Sequence, residues 1–175
     1  MPDPQKRTRG NLINGYAKYL KNKWGAEGMR QCSDYTGLDL NAIVNEKWYP
    51  ADQADAMLKW VADTKGMDHV RRMGYEVVSE RGIITYVARI AGLRKVLERG
   101  IQEYRENISF GDVKVVLKDR SARITMVGSS SNPAVCEAWV GALQGLLAIT
   151  KTKGTVKKPS CQLNGEPACV YEIEW

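Results

Sequence analysis

The chain has 175 residues, 43% of them apolar and 26% charged, a balance that excludes a disordered or fibrous polypeptide and suits one domain spanning 1–175. Its net charge of +6 is dispersed over Lys6/Arg7/Arg9, Lys18/Lys21/Lys23, Arg71/Arg72 and Lys151/Lys153/Lys157/Lys158, with no helix-turn-helix, aromatic-studded sheet or metal finger to mark a nucleic-acid module. No apolar run approaches the roughly 18 residues of a spanning helix, and Met1 to Arg9 lacks the apolar core of a signal peptide, so a cytoplasmic location is expected.

Leu12, Ile13, Tyr16, Tyr19 and Leu20 recur at helical spacing, and the pattern stops at Trp24-Gly25, where glycine suits a helix end. Ala26 to Cys32 adds a turn or a second short helix, and Ser33 to Asp39 is loop by composition. Cys32, far from the other thiols, reads as a small packing residue. Trp48-Tyr49-Pro50-Ala51-Asp52 reads as a helix start, because proline is tolerated in a first turn and Asp52 and Asp55 follow near the positive helix end. Ala54, Met57, Leu58 and Val61 mark the buried face of that helix, with Trp60 offset from it. Gly66 breaks it, and Asp68 is placed to cap a helix carrying Val70, Met73, Val77 and Val78. After Gly82 a long helical pattern runs through Ile83, Ile84, Val87, Ile90, Ala91, Leu93, Val96, Leu97, Ile101 and Tyr104, with bends expected at Gly92 and Gly100.

Beyond Asn107 the period becomes two. Val113, Val115 and Leu117 alternate with Lys114, Val116 and Lys118, the chain turns at Asp119-Arg120, and Ala122, Ile124 and Met126 return on the same face. Gly128 to Pro133 is a loop whose Ser131 or Asn132 caps a last helix from Ala134 to about Ile149. Cys161 to Trp175 reads as a closing hairpin around Asn164-Gly165, with Tyr171, Ile173 and Trp175 on one face. Cys161 and Cys169 then fall near its two ends, able to touch or to share a metal with a third thiol. The order gives an α+β domain: a helical part from about 10 to 106, then hairpin, helix and hairpin from about 110 to 175, forming a four-stranded antiparallel sheet against helices.

No catalytic constellation emerges. Ser129-Ser130-Ser131 has no histidine near it in sequence, there is no glycine-rich phosphate loop, and Glu172 and Glu174 read as one exposed strand face. The one histidine, His69, reads as a surface or first-turn residue rather than a ligand or general base. Four cysteines do not make a disulfide scaffold and are expected as thiols or ligands.

Four segments carry a resemblance: Arg9-Gly10-Asn11-Leu12-Ile13-Asn14 through Trp24-Gly25; Trp48-Tyr49-Pro50; the hairpin from Asp112 to Val127; and Cys136 with Cys161 and Leu163-Asn164-Gly165-Glu166-Pro167-Ala168-Cys169 onward. The chain resembles a superfamily that includes the haem nitric oxide/oxygen-binding (H-NOX) domains, the vinyl-reductase-type sensory domains of aromatic-responsive bacterial regulators, the bacteriochlorophyll-associated vinyl reductase proteins and the vesicle-tethering TRAPP subunits. In the haem-binding branch a histidine on the long helix before the first hairpin ligates iron and a Tyr-x-Ser-x-Arg motif holds the propionates. Leu93 and Met126-Val127-Gly128-Ser129-Ser130 stand at those places here, so the resemblance implies a branch without haem. In the regulator branch thiols on the last helix and at both ends of the last hairpin hold structural zinc with an acidic fourth ligand. Cys136, Cys161 and Cys169 match the thiols, whereas Lys157-Lys158-Pro159-Ser160 replaces the acid. Zinc completed by Glu137, Glu166, His69 or water, three plain thiols, and a Cys161–Cys169 disulfide all stay open.

Relatives place a small apolar ligand between helices and sheet, which implies a pocket of Leu93, Val96, Leu97, Tyr104, Ile124, Met126 and Trp139, residues that would equally fill an ordinary core. The implied function is a non-catalytic sensory or carrier domain for a small hydrophobic molecule, aromatic or tetrapyrrole-like. With no effector domain in the chain, its signal is expected to pass to a separate protein. The alternative is a dimeric protein-protein adaptor of the tethering type.

Overall fold

The computed structural model describes residues 6–79 and 83–175, and the side chains of 83–87 lie outside that description. The expectations placed on Ile83, Ile84 and Val87 as side chains therefore fall outside the described residues. The first described element is a short strand, β1 (Arg7–Arg9), that sequence reading did not anticipate. It pairs antiparallel with β2 (Trp48–Pro50), where Thr8 faces Tyr49. Trp48-Tyr49-Pro50 is thus a strand leading into α2 (Ala51–Lys65), not a first helical turn; Pro50 occupies the cap position.

α1 (Gly10–Thr36) is longer than its apolar pattern predicts. Gly25 (φ 63°, ψ −156°) kinks it rather than ending it, and the segment from Ser33 to Thr36, expected as loop, completes its last turn. Thr36 Oγ1 donates to the Cys32 carbonyl at 2.8 Å, and Gly37 (φ 71°) closes the helix by donating to Ser33 O, a left-handed terminus that glycine adopts without strain. On α2, Ala54, Met57, Leu58 and Val61 are buried as expected, and so is Trp60, which sits edge-on to Trp24. α3 (Met67–Ser79) follows directly, with Asp68 inside its first turn instead of capping it. α4 (Ile83–Asn107) bends at Gly92 (φ 79°, ψ 163°) but continues as helix through Gly100, so one of the two expected bends is present. Ile90, read as part of the apolar pattern, is 73% exposed.

β3 (Asp112–Leu117) and β4 (Ser121–Val127) form the expected hairpin, in register from Asp112 opposite Val127 to Leu117 opposite Ala122. α5 (Pro133–Ile149) starts on Asn132, whose side chain accepts from the N–H groups of Ala134 and Val135, the arrangement that satisfies a free helix amino end. The closing hairpin is β5 (Thr155–Ser160) with β6 (Cys169–Glu174), and the sheet runs β3-β4-β6-β5, antiparallel throughout. Its connection is wider than a two-residue turn. Gly165 alone takes a positive φ, whereas the tight hairpin turn needs it at both central residues, so Gln162–Asn164 forms a 3-10 turn instead. Pro159, with no N–H to give the ladder, lies in the register break between Lys157 and Ser160.

Two cores result. One joins α1, α2, α3 and the start of α5 around Ile13, Leu20, Met57, Val61, Val70 and Met73. The other joins α4 and α5 to the inner face of the sheet. α3 and α5 link them, crossing backbone to backbone at Gly74, Gly141 and Gly145: a Cβ on Gly141 would lie 1.9 Å from Arg71 O, and one on Gly74 would lie 2.0 Å from Ala138 O. The outer sheet face carries exposed Lys114, Val116, Arg123 and Val127, and there Glu172 pairs with Arg123 and Glu174 with Lys157. Among the described residues no helix is long and apolar enough to cross a membrane.

Candidate thiol centre and ligand face

Three elements bring the three distal cysteines together. The Asn132 cap sets the first turn of α5 and with it Cys136, Cys161 follows β5, and Cys169 opens β6 opposite Met126 of β4. All three are buried, with sulfur separations of 3.6 Å for Cys136–Cys161, 3.9 Å for Cys161–Cys169 and 4.0 Å for Cys136–Cys169. A disulfide would need about 2.05 Å, so these are free thiols. Zinc–sulfur bonds of about 2.3 Å in a tetrahedron set sulfur–sulfur edges of about 3.8 Å, so the three thiols are spaced to hold a metal ion.

Among the described residues no carboxylate or imidazole joins the three sulfurs. Glu137 is paired with Arg71, His69 is hydrogen-bonded to Tyr19, and Glu166 is exposed, so none of the fourth ligands considered from sequence stands beside them. The Ser130 Oγ lies 3.8 Å from Cys169 Sγ, and Lys158 Nζ lies 4.0 Å from Cys161 Sγ. The environment differentiates the thiols. Burial pushes Cys136 up to about 11. Burial also opposes ionisation of Cys161, but the Leu163 backbone N–H, the neighbouring thiols and Lys158 favour its thiolate and bring it below the ordinary value. Cys32, by contrast, is held at about 12 by burial alone and packs with Leu38 and Leu40 in the other core.

The residues expected to line a pocket are also gathered. Leu93, Leu97 and Tyr104 of α4 and Ile124 and Met126 of β4 are buried in one cluster, and Trp139 of α5 packs against it. The Trp139 ring lies 5.7 Å from that of Tyr104, tilted by 32°. Val96 is half-buried and stands outside the cluster. Sequence reading missed Tyr171 as a site residue, although its place in the β6 alternation puts it on the inner face. It is fully buried between the apolar cluster and the thiols, and its hydroxyl donates to the Cys136 carbonyl at 3.5 Å. His69 is half-buried in the first turn of α3, where Nδ1 shares a 2.8 Å hydrogen bond with the Tyr19 hydroxyl beside Trp24.

The loop from Gly128 to Asn132 ties the centre to α2. Ser130 touches the thiols, Ser129 is buried, and Ser131 Oγ donates to Asp55 Oδ2 at 2.5 Å. Burial raises the Asp55 carboxyl from 3.8 to about 6, partly opposed by the Ser131 hydrogen bond. A raised folded-state value means that the folded chain holds this proton more tightly than the unfolded one. Its stabilising effect is complete below 3.8 and is lost as pH rises through about 6. Asp55→Asn is therefore expected to raise Tm above pH 6 and to flatten the difference curve against the parent protein below pH 4, measured by thermal unfolding across pH. A difference curve that does not change between those values would show that Asp55 is not held in this way.

No protein-family model and no curated protein matches the sequence. Solved structures do. An H-NOX protein from S. oneidensis in its Fe(II)NO ligation state superposes with a TM-score of 0.75 at 15% identity, covering 95% of this chain and 98% of that one. An oxygen-binding H-NOX domain related to soluble guanylate cyclases, in its oxygen complex, gives 0.71 at 13% identity, with 95% and 94% covered. An H-NOX structure used to probe the function of haem distortion gives 0.72 at 13% identity, also with 95% and 94% covered. The chain has an H-NOX-like fold over 95% of its length.

Proposed function

We propose that this protein is a non-catalytic sensory or carrier domain that holds a small hydrophobic molecule between α4 and the inner face of the sheet. The observation that carries this reading is the facing set of Leu93, Leu97 and Tyr104 on α4 with Ile124 and Met126 on β4, in a chain with the H-NOX fold. The neighbours above are an Fe(II)NO state, an oxygen complex and a haem-distortion study, so haem is the first ligand to weigh. The donor set does not fit it. Leu93 and Leu97 bring no atom to iron, and the Tyr104 hydroxyl already donates to Phe110 O at 2.8 Å. The place is kept and the ligand is changed to one held by apolar contact, with Trp139 and Tyr104 offering aromatic faces. This corresponds to the vinyl-reductase-type branch more closely than to the haem-binding one.

In the same reading Cys136, Cys161 and Cys169 hold a structural zinc ion, with the Ser130 hydroxyl or water completing the four donors. Its chemistry would be structural: a thiolate-bound ion that ties α5 to both ends of the β5–β6 connection.

The test is an absorbance and mass spectrum of the protein as purified, followed by thermal shift across a lipid, aromatic and tetrapyrrole panel. At least one apolar compound is expected to raise Tm saturably, by the equivalent of about 2.7 kcal/mol at a hundredfold excess over its Kd, and Leu97→Phe to diminish the effect. A stoichiometric Soret band would overturn the apolar-contact reading in favour of haem. No shift from any compound, with only polypeptide in the mass spectrum, would overturn ligand binding altogether. The second reading, a dimeric adaptor of the tethering kind, draws support from Ile90, 73% exposed on α4; light scattering that shows only monomer at high concentration would remove it.

A further inference from the structure

A cleft lies away from both the thiols and the sheet. It encloses about 610 Å³ where the two arms of α1 meet the loop after Gly37, within the range of small-molecule sites. Met29 and Leu38, both buried, give it an apolar floor, and the charged lining residues Lys21, Arg30, Asp34 and Asp39 are exposed. Those four charges are not equivalent. Arg30 is occupied, donating to Glu27 at 2.7 Å and to Asp34 at 3.0 Å. Lys21 forms no ion pair with any described residue, and Asp39 gives one carboxylate oxygen to the Asn41 N–H at 3.1 Å and has no cationic partner among the described residues. One uncompensated positive and one uncompensated negative group therefore border one cleft above an apolar floor.

We infer that this cleft is a second binding site, for a small zwitterion with an apolar body, of the class of aliphatic amino acids and dipeptides. Its carboxylate meets Lys21, its ammonium meets Asp39, and its side chain covers Met29 and Leu38. An exposed ion pair contributes little, so the two charges select the ligand while the apolar floor supplies contact, and affinity falls in the millimolar range. The Gly25 kink brings this about. A straight α1 would carry Lys21 and the arm from Ala26 onward along one axis, whereas the non-helical glycine turns the second arm, and Gly37 returns the chain to lay Leu38 and Asp39 beside it.

The experiment is an amide NMR titration of the full chain with leucyl-leucine, with N-acetyl-leucine and leucine amide as charge-deleted probes. Saturable shifts are expected for amides between Lys21 and Asn41. Either charge-deleted probe, and either of the charge-only variants Lys21→Gln and Asp39→Asn, is expected to weaken binding roughly three- to tenfold. Asp39→Asn keeps the side-chain oxygen that accepts from Asn41, so it isolates charge from loop structure. Absence of saturable shifts at tens of millimolar dipeptide would overturn the inference. So would binding of the acetylated or the amidated probe as tight as that of leucyl-leucine, or shifts that the two variants leave unchanged. Because no residue of this cleft belongs to the α4 cluster, failure here leaves the α4 reading untouched, and the reverse holds too.

Discussion

Gly141→Ala is expected to destabilise the protein by about 3–5 kcal/mol, a loss at the severe end for a single substitution because the added methyl meets backbone and not a side chain that can rotate away. The new Cβ would lie 1.9 Å from Arg71 O and 2.8 Å from Arg71 C, so α3 and α5 must separate. Separation disturbs Gly74 against Ala138 and the burial of Val70 and Met73 at the same crossing. Chemical denaturation measures this directly. Gly100→Ala is the control: a Cβ there meets nothing within 4 Å in a helical backbone, and it is expected to be neutral or stabilising by up to about 1 kcal/mol. A loss below about 1 kcal/mol at Gly141 would mean that the two helices are not in backbone contact.

The second large effect is expected at the thiols. Protein prepared with zinc is expected to contain one ion per chain by elemental analysis. Cys136→Ser is expected to lose that ion and about 3–5 kcal/mol of stability, and chelation of the parent protein to reproduce the loss. The cost comes from unlinking the three elements that carry the thiols: α5, the segment after β5 and the start of β6. Cys32→Ser separates this from the cost of changing any buried thiol, because Cys32 is fully buried in the other core and should destabilise without altering metal content. Metal-free preparations unaffected by chelator would reduce the cluster to three packed thiols.

Much of the fold was legible because its periodicities are local. The apolar spacing of α2, the alternation across β3 and β4 and the Asn132 cap all act within a few residues, and each appears where the pattern places it. Features decided by distant partners were not legible. β1 and β2 are three residues each and gain stability only by pairing with one another. The end of α1 carries polar residues that look like loop, and it is helical because Cys32 and Leu38 bury there and Gly37 closes the turn. Asn164-Gly165 suggested a tight turn, but the chain widens so that Cys161 and Cys169 can both approach Cys136. The cysteines could be singled out from sequence, whereas their spacing, the proximity of Ser130 and the burial of Tyr171 are properties of three elements converging.

The glycine crossing also decides which part of the domain is free to respond. Two helices whose main chains touch cannot slide past each other by small steps, because every increment drives carbonyl oxygen into carbon; they behave as one strut. Among the described residues α4 has no such lock, and its regular helix is interrupted at Gly92, immediately before the leucines that face the sheet. On the function proposed above, an occupant of that face would work against a fixed anvil of α5 and strands on one side and a jointed lever on the other, with Ile90 bare on the lever's outward surface.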